Sequence, residues 1–295
     1  MAPSTHLRAD LYTAPAIPTS EILPDGTTGH WQPTVVTLIS GATSAVLVDT
    51  LFTAAQGVAL GDWIADTLGR GRRLTTIYIT HGHGDHWFNV AYLQSRFAGV
   101  RVLATAACVA HMRTQLTPEY RALWHRLFPG GQIEERAFEF PVVETLGEGN
   151  NMFEVEGHVF EAVEVGHSDT EGTTFLHVPD LDLVVAGDVV YNDVHMWMAE
   201  SVEQEQRDAW VRSLEKIEEY RPGIVIGSHH RPGGVDGAFN IGASQEYIRT
   251  FSRLVRESSN AKELYEKVLS SYPNRIGLAV LWLGCKAIFP SGSKA

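Results

Sequence analysis

Cysteine is scarce: Cys108 and Cys285 are the only two in 295 residues, and neither stands in a metal-binding spacing. A disulfide framework and a cysteine-ligated zinc module are therefore set aside, and two buried free thiols in a reducing, cytoplasmic compartment are expected. Basic charge is short too. Lysine and arginine total 23 against 35 aspartates and glutamates, a formal net charge of −12. That excludes nucleic acid as a partner, since phosphate binding needs a basic face. A small anionic substrate stays open, because bound cations supply local positive charge. Long apolar runs are missing. The strongest, Ile276–Cys285, is too short to span a bilayer and reads as a buried helix or as a contact in a homodimer. The opening Met-Ala-Pro-Ser-Thr-His-Leu-Arg has no basic segment followed by an apolar one, so no secretory leader is expected. A small-molecule substrate is the partner that remains.

What the chain has is clustered histidine. Within Thr80-His81-Gly82-His83-Gly84-Asp85-His86 stand three histidines and one aspartate. The preceding Leu74–Thr80 is β-branched and reads as a strand, and Trp87–Phe97 reads as an amphipathic helix. Gly82 and Gly84 allow a tight turn between them. Four ligand-type residues at a strand end are hard to explain as packing. Imidazoles with a carboxylate suit a borderline cation such as Zn²⁺.

Along the chain, residues 1–33 carry five prolines and read as a loosely structured entry segment with room for one strand. Strands 35–40 and 45–48 form a hairpin ending on Asp49, which either caps the next helix or supports the metal site from behind. A helix at 54–68, strands at 74–80 and 100–105, and a helix at 106–113 follow. Pro118 opens a further helix that ends at Pro129-Gly130-Gly131 and is either a satellite element or a lid. Strands are expected at 142–143, 152–155, 159–165, 173–178, 183–186 and 223–227, with turns at 147–150 and 156–157. A helix spans 203–220, and 242–289 is helical with a break at 270–273. This alternation predicts a layered α/β sandwich. It divides into an entry segment (1–34), a main domain (35–241) and a helical extension packed on it (242–295).

Further strand ends carry His167, Asp188 and His229-His230, each following an apolar strand. In order along residues 35 to 235, the His81-x-His83-x-Asp85-His86 cluster, the Gly166-His167 turn, the Gly187-Asp188 pair and His229 resemble the metallo-β-lactamase-fold superfamily of metallohydrolases. Asp49 fits that family's aspartate at an early strand end. The resemblance implies an αββα sandwich with metals along one edge of two facing sheets. His81, His83 and His167 would hold one metal, and Asp85, His86 and His229 the other, with Asp188 bridging. His230 replaces His229 if the turn is shifted by one residue. Two Zn²⁺ are implied, and iron or manganese would suit the same donors.

Two cations sharing a carboxylate lower the pKa of water, so that hydroxide attacks a carbonyl near neutral pH. Asp85 would orient it and pass a proton to the leaving group. Tyr191 either donates to a substrate carbonyl, as a tyrosine at the like position does in lactonases of this superfamily, or is a core residue. Trp87, Phe88, His195 and Trp197 would wall an apolar substrate pocket. The antibiotic-degrading enzymes of this fold mostly have a ligand cysteine or lack the bridging aspartate, so this chain departs from them. The resemblance therefore implies a dinuclear zinc hydrolase opening a lactam or lactone. A thioesterase of glyoxalase II or acyl-carrier type and an iron-dependent persulfide dioxygenase are the alternatives.

Overall fold

The computed structural model describes residues 7–290 apart from 148 and 150. Residues 1–6 of the segment read for a leader, and two residues of the 147–150 turn, lie outside the described residues. Two sheets face each other. The first holds β1 (Arg8–Ala14), β4 (Thr34–Ser40), β5 (Ser44–Val48), β6 (Arg73–Tyr78), β7 (Arg101–Ala104) and β8 (Glu144–Thr145), in that order. The second runs β13 (Ile224–His230), β12 (Leu183–Asn192), β11 (Thr173–Val178), β10 (His158–Gly166) and β9 (Met152–Val155). β2 (Ile17–Ile22) and β3 (Thr28–Trp31) form a separate hairpin.

Side-chain alternation produces the layers. In β4, Val35 and Ile39 face the second sheet while Val36 and Leu38 face helices. In β12, Leu183 and Val185 point between the sheets, and Val184 and Ala186 point outward. Such strands are buried on both faces, hence their unbroken apolar runs. On the outer face of the first sheet pack α1 (Ala54–Leu68), α2 (Gly84–Trp87), α3 (Val90–Arg96), α4 (Ala106–Thr114) and α5 (Pro118–Leu127). The second sheet is covered by α6 (Gln204–Glu219), α7 (Phe239–Arg256), α8 (Ala261–Ser271) and α9 (Leu278–Ile288). The result is a four-layer αββα sandwich with C-terminal helices. Among the described residues, no helix is long and apolar enough to cross a membrane.

Several expectations are corrected. The entry segment contains three strands, and β1 pairs antiparallel with β4 along its full length as the sheet's edge. The prolines hid it; Pro18 sits in the edge hairpin, where a missing N–H is tolerated. The expected helix from Trp87 to Phe97 is split, because the N–H of Asn89 turns to Leu51 O and its side chain to Thr53 O. Residues 142–143 are not a strand, and Val142 is exposed. The C-terminal helices break twice, after Arg256 and after Ser271. Ile276–Cys285 lies largely in α9, whose Ala279, Val280, Leu281, Gly284 and Cys285 are buried.

Candidate metal centre

The loop after β6, the 166–173 turn after β10, the middle of β12 and the end of β13 meet at one edge of the two sheets. Gly82 and Gly84 are needed there for space rather than for a left-handed turn. A Cβ on Gly82 would lie 2.5 Å from Met112 N, and one on Gly84 would lie 2.4 Å from the Phe88 ring. Gly187 does need its freedom: its φ is 55°, which lets β12 carry Asp188 into the centre.

Two sets of donor atoms converge. In the first, His81 Nε2 and His83 Nδ1 are 3.2 Å apart, and Asp169 Oδ2 lies 3.4 Å and 2.9 Å from them. In the second, Asp85, His86 and His229 come together, with His86 Nε2 3.6 Å from Asp85 Oδ1 and His229 Nε2 3.4 Å from Asp85 Oδ2. Asp188 adjoins both, at 3.5 Å from His86 Nε2 and 3.3 Å from His229 Nε2, and it also groups with His81. Donors held at about 2.0–2.1 Å from a tetrahedral ion stand about 3.3–3.4 Å apart. Apart from the 2.9 Å contact of Asp169 with His83, these separations match that spacing better than they match hydrogen bonds. Buried His86 Nε2, Asp169 Oδ2 and Asp188 Oδ1 have no hydrogen-bond partner, and all three face these clusters. The residues present fit a pair of divalent cations.

Each histidine of the two donor sets is fixed through its other ring nitrogen. His86 Nδ1 meets Asp49 Oδ2 at 2.9 Å, and His229 Nδ1 donates to Pro33 O at 3.0 Å. His83 Nε2 meets Glu200 Oε1 at 2.9 Å, and His81 Nδ1 meets Thr80 Oγ1 at 3.0 Å. Such contacts orient metal ligands. Asp49 therefore supports the centre from behind. It is fully buried at a φ of 65°, costly for a non-glycine residue, and also accepts from Thr80 N at 2.9 Å.

Burial pushes the His81 imidazole down to about 4, with His86 beside it. Burial acts the same way on His86 and His229, yet the facing aspartates win and hold them up at about 9 and about 10. Asp85, Asp169 and Asp188 are held below the usual carboxylate range by the imidazoles around them, His83 included, against the effect of burial. The centre is a buried sink for positive charge.

Other expected site residues fall differently. His167 is not brought to the cluster; its Nδ1 meets Glu171 and its Nε2 meets Ser201 Oγ, each at 2.9 Å. His230 points away, toward Thr13 and Asp236, so His229 is the histidine at the centre. Tyr191 donates its O–H to Asp188 Oδ2 at 2.6 Å and stacks on His229. Burial and the Asp188 carboxylate push its phenol well above the ordinary range.

A cleft of about 450 Å³, the solvent at its mouth included, opens onto His83, Asp85, Asp188 and His229. Its walls include Trp31, Leu123, Trp124, Leu127 and Trp197. Of the expected pocket residues, Trp197 and Tyr191 line it, but Trp87, Phe88 and His195 do not. Trp87 and Phe88 are buried in the core over the first sheet, and His195 is buried against Tyr247 at 3.0 Å. α5 is a wall of the cleft, supplying Tyr120 as well. Sequence reading missed Trp31, whose Nε1–H donates to Asp85 Oδ2 at 3.2 Å.

The family model described as the metallo-beta-lactamase superfamily matches residues 30–229. No curated protein matches the chain. Solved structures are similar in fold. A metallo-beta-lactamase family protein from Thermus thermophilus is 17% identical with a TM-score of 0.61, covering 94% of this chain and 91% of that one. A metallo-beta-lactamase from Pontibacter korlensis is 17% identical with a TM-score of 0.55, covering 83% and 99%. One from Pseudomonas aeruginosa, solved in its mono-zinc form, is 15% identical with a TM-score of 0.55, covering 82% and 91%.

Proposed function

Because the chain belongs to the metallo-beta-lactamase superfamily, we propose that it is a dinuclear zinc hydrolase opening a small, uncharged cyclic ester or amide, a lactone or lactam. The observation that carries this reading is the pair of donor sets sharing Asp188 at the floor of an apolar cleft. Bound there, two divalent cations supply Lewis acidity and a water of near-neutral pKa.

The chain's own residues do the rest. The aromatic walls bind and desolvate the apolar part of the substrate. Asp85 lies at the cleft floor, its carboxylate fixed by the Trp31 N–H. From there it takes a proton and delivers it to the leaving oxygen or nitrogen. Tyr191 holds Asp188 in register rather than donating to substrate, since its one proton is directed to Asp188 Oδ2.

Among the described residues, the cleft lining includes no lysine or arginine, while it does include Glu200. A substrate held by a carboxylate or phosphate would find no partner outside the metals. This favours a lactone or simple lactam over the thioester of an anionic carrier. Buried free Cys108 and Cys285 suit a cytoplasmic place of action.

The test is a hydrolysis screen of lactones, lactams and thioesters on the zinc-loaded protein, with His83→Ala as control. Turnover of uncharged lactones or lactams that disappears in the control is expected. Activity surviving His83→Ala, or bound iron with O₂ uptake, would overturn the reading.

A further inference from the structure

We infer that Asp169, and not His167, completes the first metal site. This rests on the dinuclear reading above and changes the ligand set within it. The centre is then built from His81, His83, His86 and His229 with Asp85, Asp169 and Asp188.

His167 turns no free lone pair toward the centre. Ser201 Oγ directs its single proton to Ser168 O at 2.9 Å, so it can only accept from His167 Nε2, 2.9 Å away. That nitrogen carries a hydrogen. The other ring nitrogen faces the Glu171 carboxylate. The imidazole thus ties the 166–171 turn to the 201 loop and presents neither nitrogen to the centre.

Asp169 has the opposite character. It is fully buried. Its Oδ1 is anchored by Ser168 Oγ at 2.8 Å and Thr173 Oγ1 at 3.4 Å. Its Oδ2 has no hydrogen-bond partner and is aimed at His83 Nδ1 and His81 Nε2. A carboxylate oxygen left so in the interior is costly unless a cation meets it. The neighbouring contacts hold this arrangement. Thr170 Oγ1 donates to Glu200 Oε2 at 2.7 Å, and Glu200 Oε1 meets His83 Nε2, which turns the Nδ1 of His83 toward Asp169. A third carboxylate leaves the dication pair less residual positive charge than a fifth imidazole would, in keeping with a cleft that offers no site for a substrate anion.

The assignment is tested on the full chain with Co²⁺ as probe, by titrating metal-free protein while following visible absorption and metal content, alongside melting curves. Wild type and His167→Gln are expected to take up two equivalents and Asp169→Asn one, with loss of the first site's absorption bands. Asp169→Asn binding two equivalents with an unchanged spectrum would overturn it. So would a folded His167→Gln that binds only one. A measurement on wild type needs no variant: in histidine-ring ¹H–¹⁵N spectra, Zn²⁺ loading should shift the nitrogens of His81, His83, His86 and His229 and leave those of His167 in place. A metal-bound His167 signal would contradict the assignment. These readouts need no substrate, so a failed hydrolysis screen overturns the proposed reaction alone. Wild type taking up fewer than two equivalents overturns the dinuclear reading and this assignment together.

Discussion

At the scale of single residues, the centre depends on groups that never touch a ligand position. Asp49 fixes His86, and Trp31 fixes Asp85. Asp49→Asn is expected to weaken divalent-metal affinity by about 10–100-fold, read by competition with a chelator, because the imidazole loses its carboxylate partner. Unchanged affinity would mean that packing alone orients His86. Trp31→Phe keeps an aromatic, though smaller, wall and removes the N–H; a fall of about ten-fold in kcat/KM with metal content unchanged is the expected outcome. The sequence displayed the ligand-rich cluster because four donors in six positions have no packing explanation. It did not display Trp31, one aromatic in a proline-rich stretch. It misled at 166–173, where a histidine and an aspartate stand two apart and only the course of the turn decides which faces inward.

At the scale of elements, α5 and the inter-sheet turns carry separate consequences. Leu123 of α5 lines the cleft. Leu123→Arg would place a cation in a wall that has none, and should lower KM for carboxylate-bearing carbonyl substrates while raising it for uncharged ones. Steady-state kinetics on a matched pair of such substrates checks this. Far from the centre, Glu156 in the β9–β10 turn accepts from Ala42 N and Thr43 N, each at 2.8 Å, and so ties the two sheets together. Burial would raise its pKa, but the hydrogen bonds from Thr43 and Ala42 win and lower it from 4.5 to about 2. A depressed carboxylate stabilises the fold fully above its unfolded pKa and loses that contribution as pH falls toward the folded one. Glu156→Gln should therefore lower stability by about 1 kcal/mol at pH 7, after allowing for solvent screening, and by less near pH 2. Denaturant titrations at the two pH values decide it.

Helix α1 was readable to its ends, because Thr53 and Gln56 form a reciprocal cap before an apolar stripe. β1 was not, since an edge strand has little apolar patterning.

At the scale of the molecule, the alternation of strands and helices was enough to foresee a layered α/β sandwich, and the family resemblance carried by the ligand-bearing turns implied two facing sheets with helices outside. Strands buried on both faces need cover on each side, which this fold supplies with the facing sheet and the outer helices. The cleft was not foreseeable, because its walls come from the entry hairpin (Trp31), α5 (Leu123, Trp124) and the loop after β12 (Trp197), which are far apart in sequence. The whole arrangement concentrates buried carboxylates at one sheet edge, so metal binding and stability should be linked. The most direct test of the central claim titrates the metal-free chain with Zn²⁺ while recording the melting temperature and lactone hydrolysis on the same samples. Two equivalents bound, a rising melting temperature, and hydrolysis that is absent without metal and complete at the second equivalent are the predicted result. Hydrolysis by the metal-free chain at the zinc-loaded rate would contradict the account.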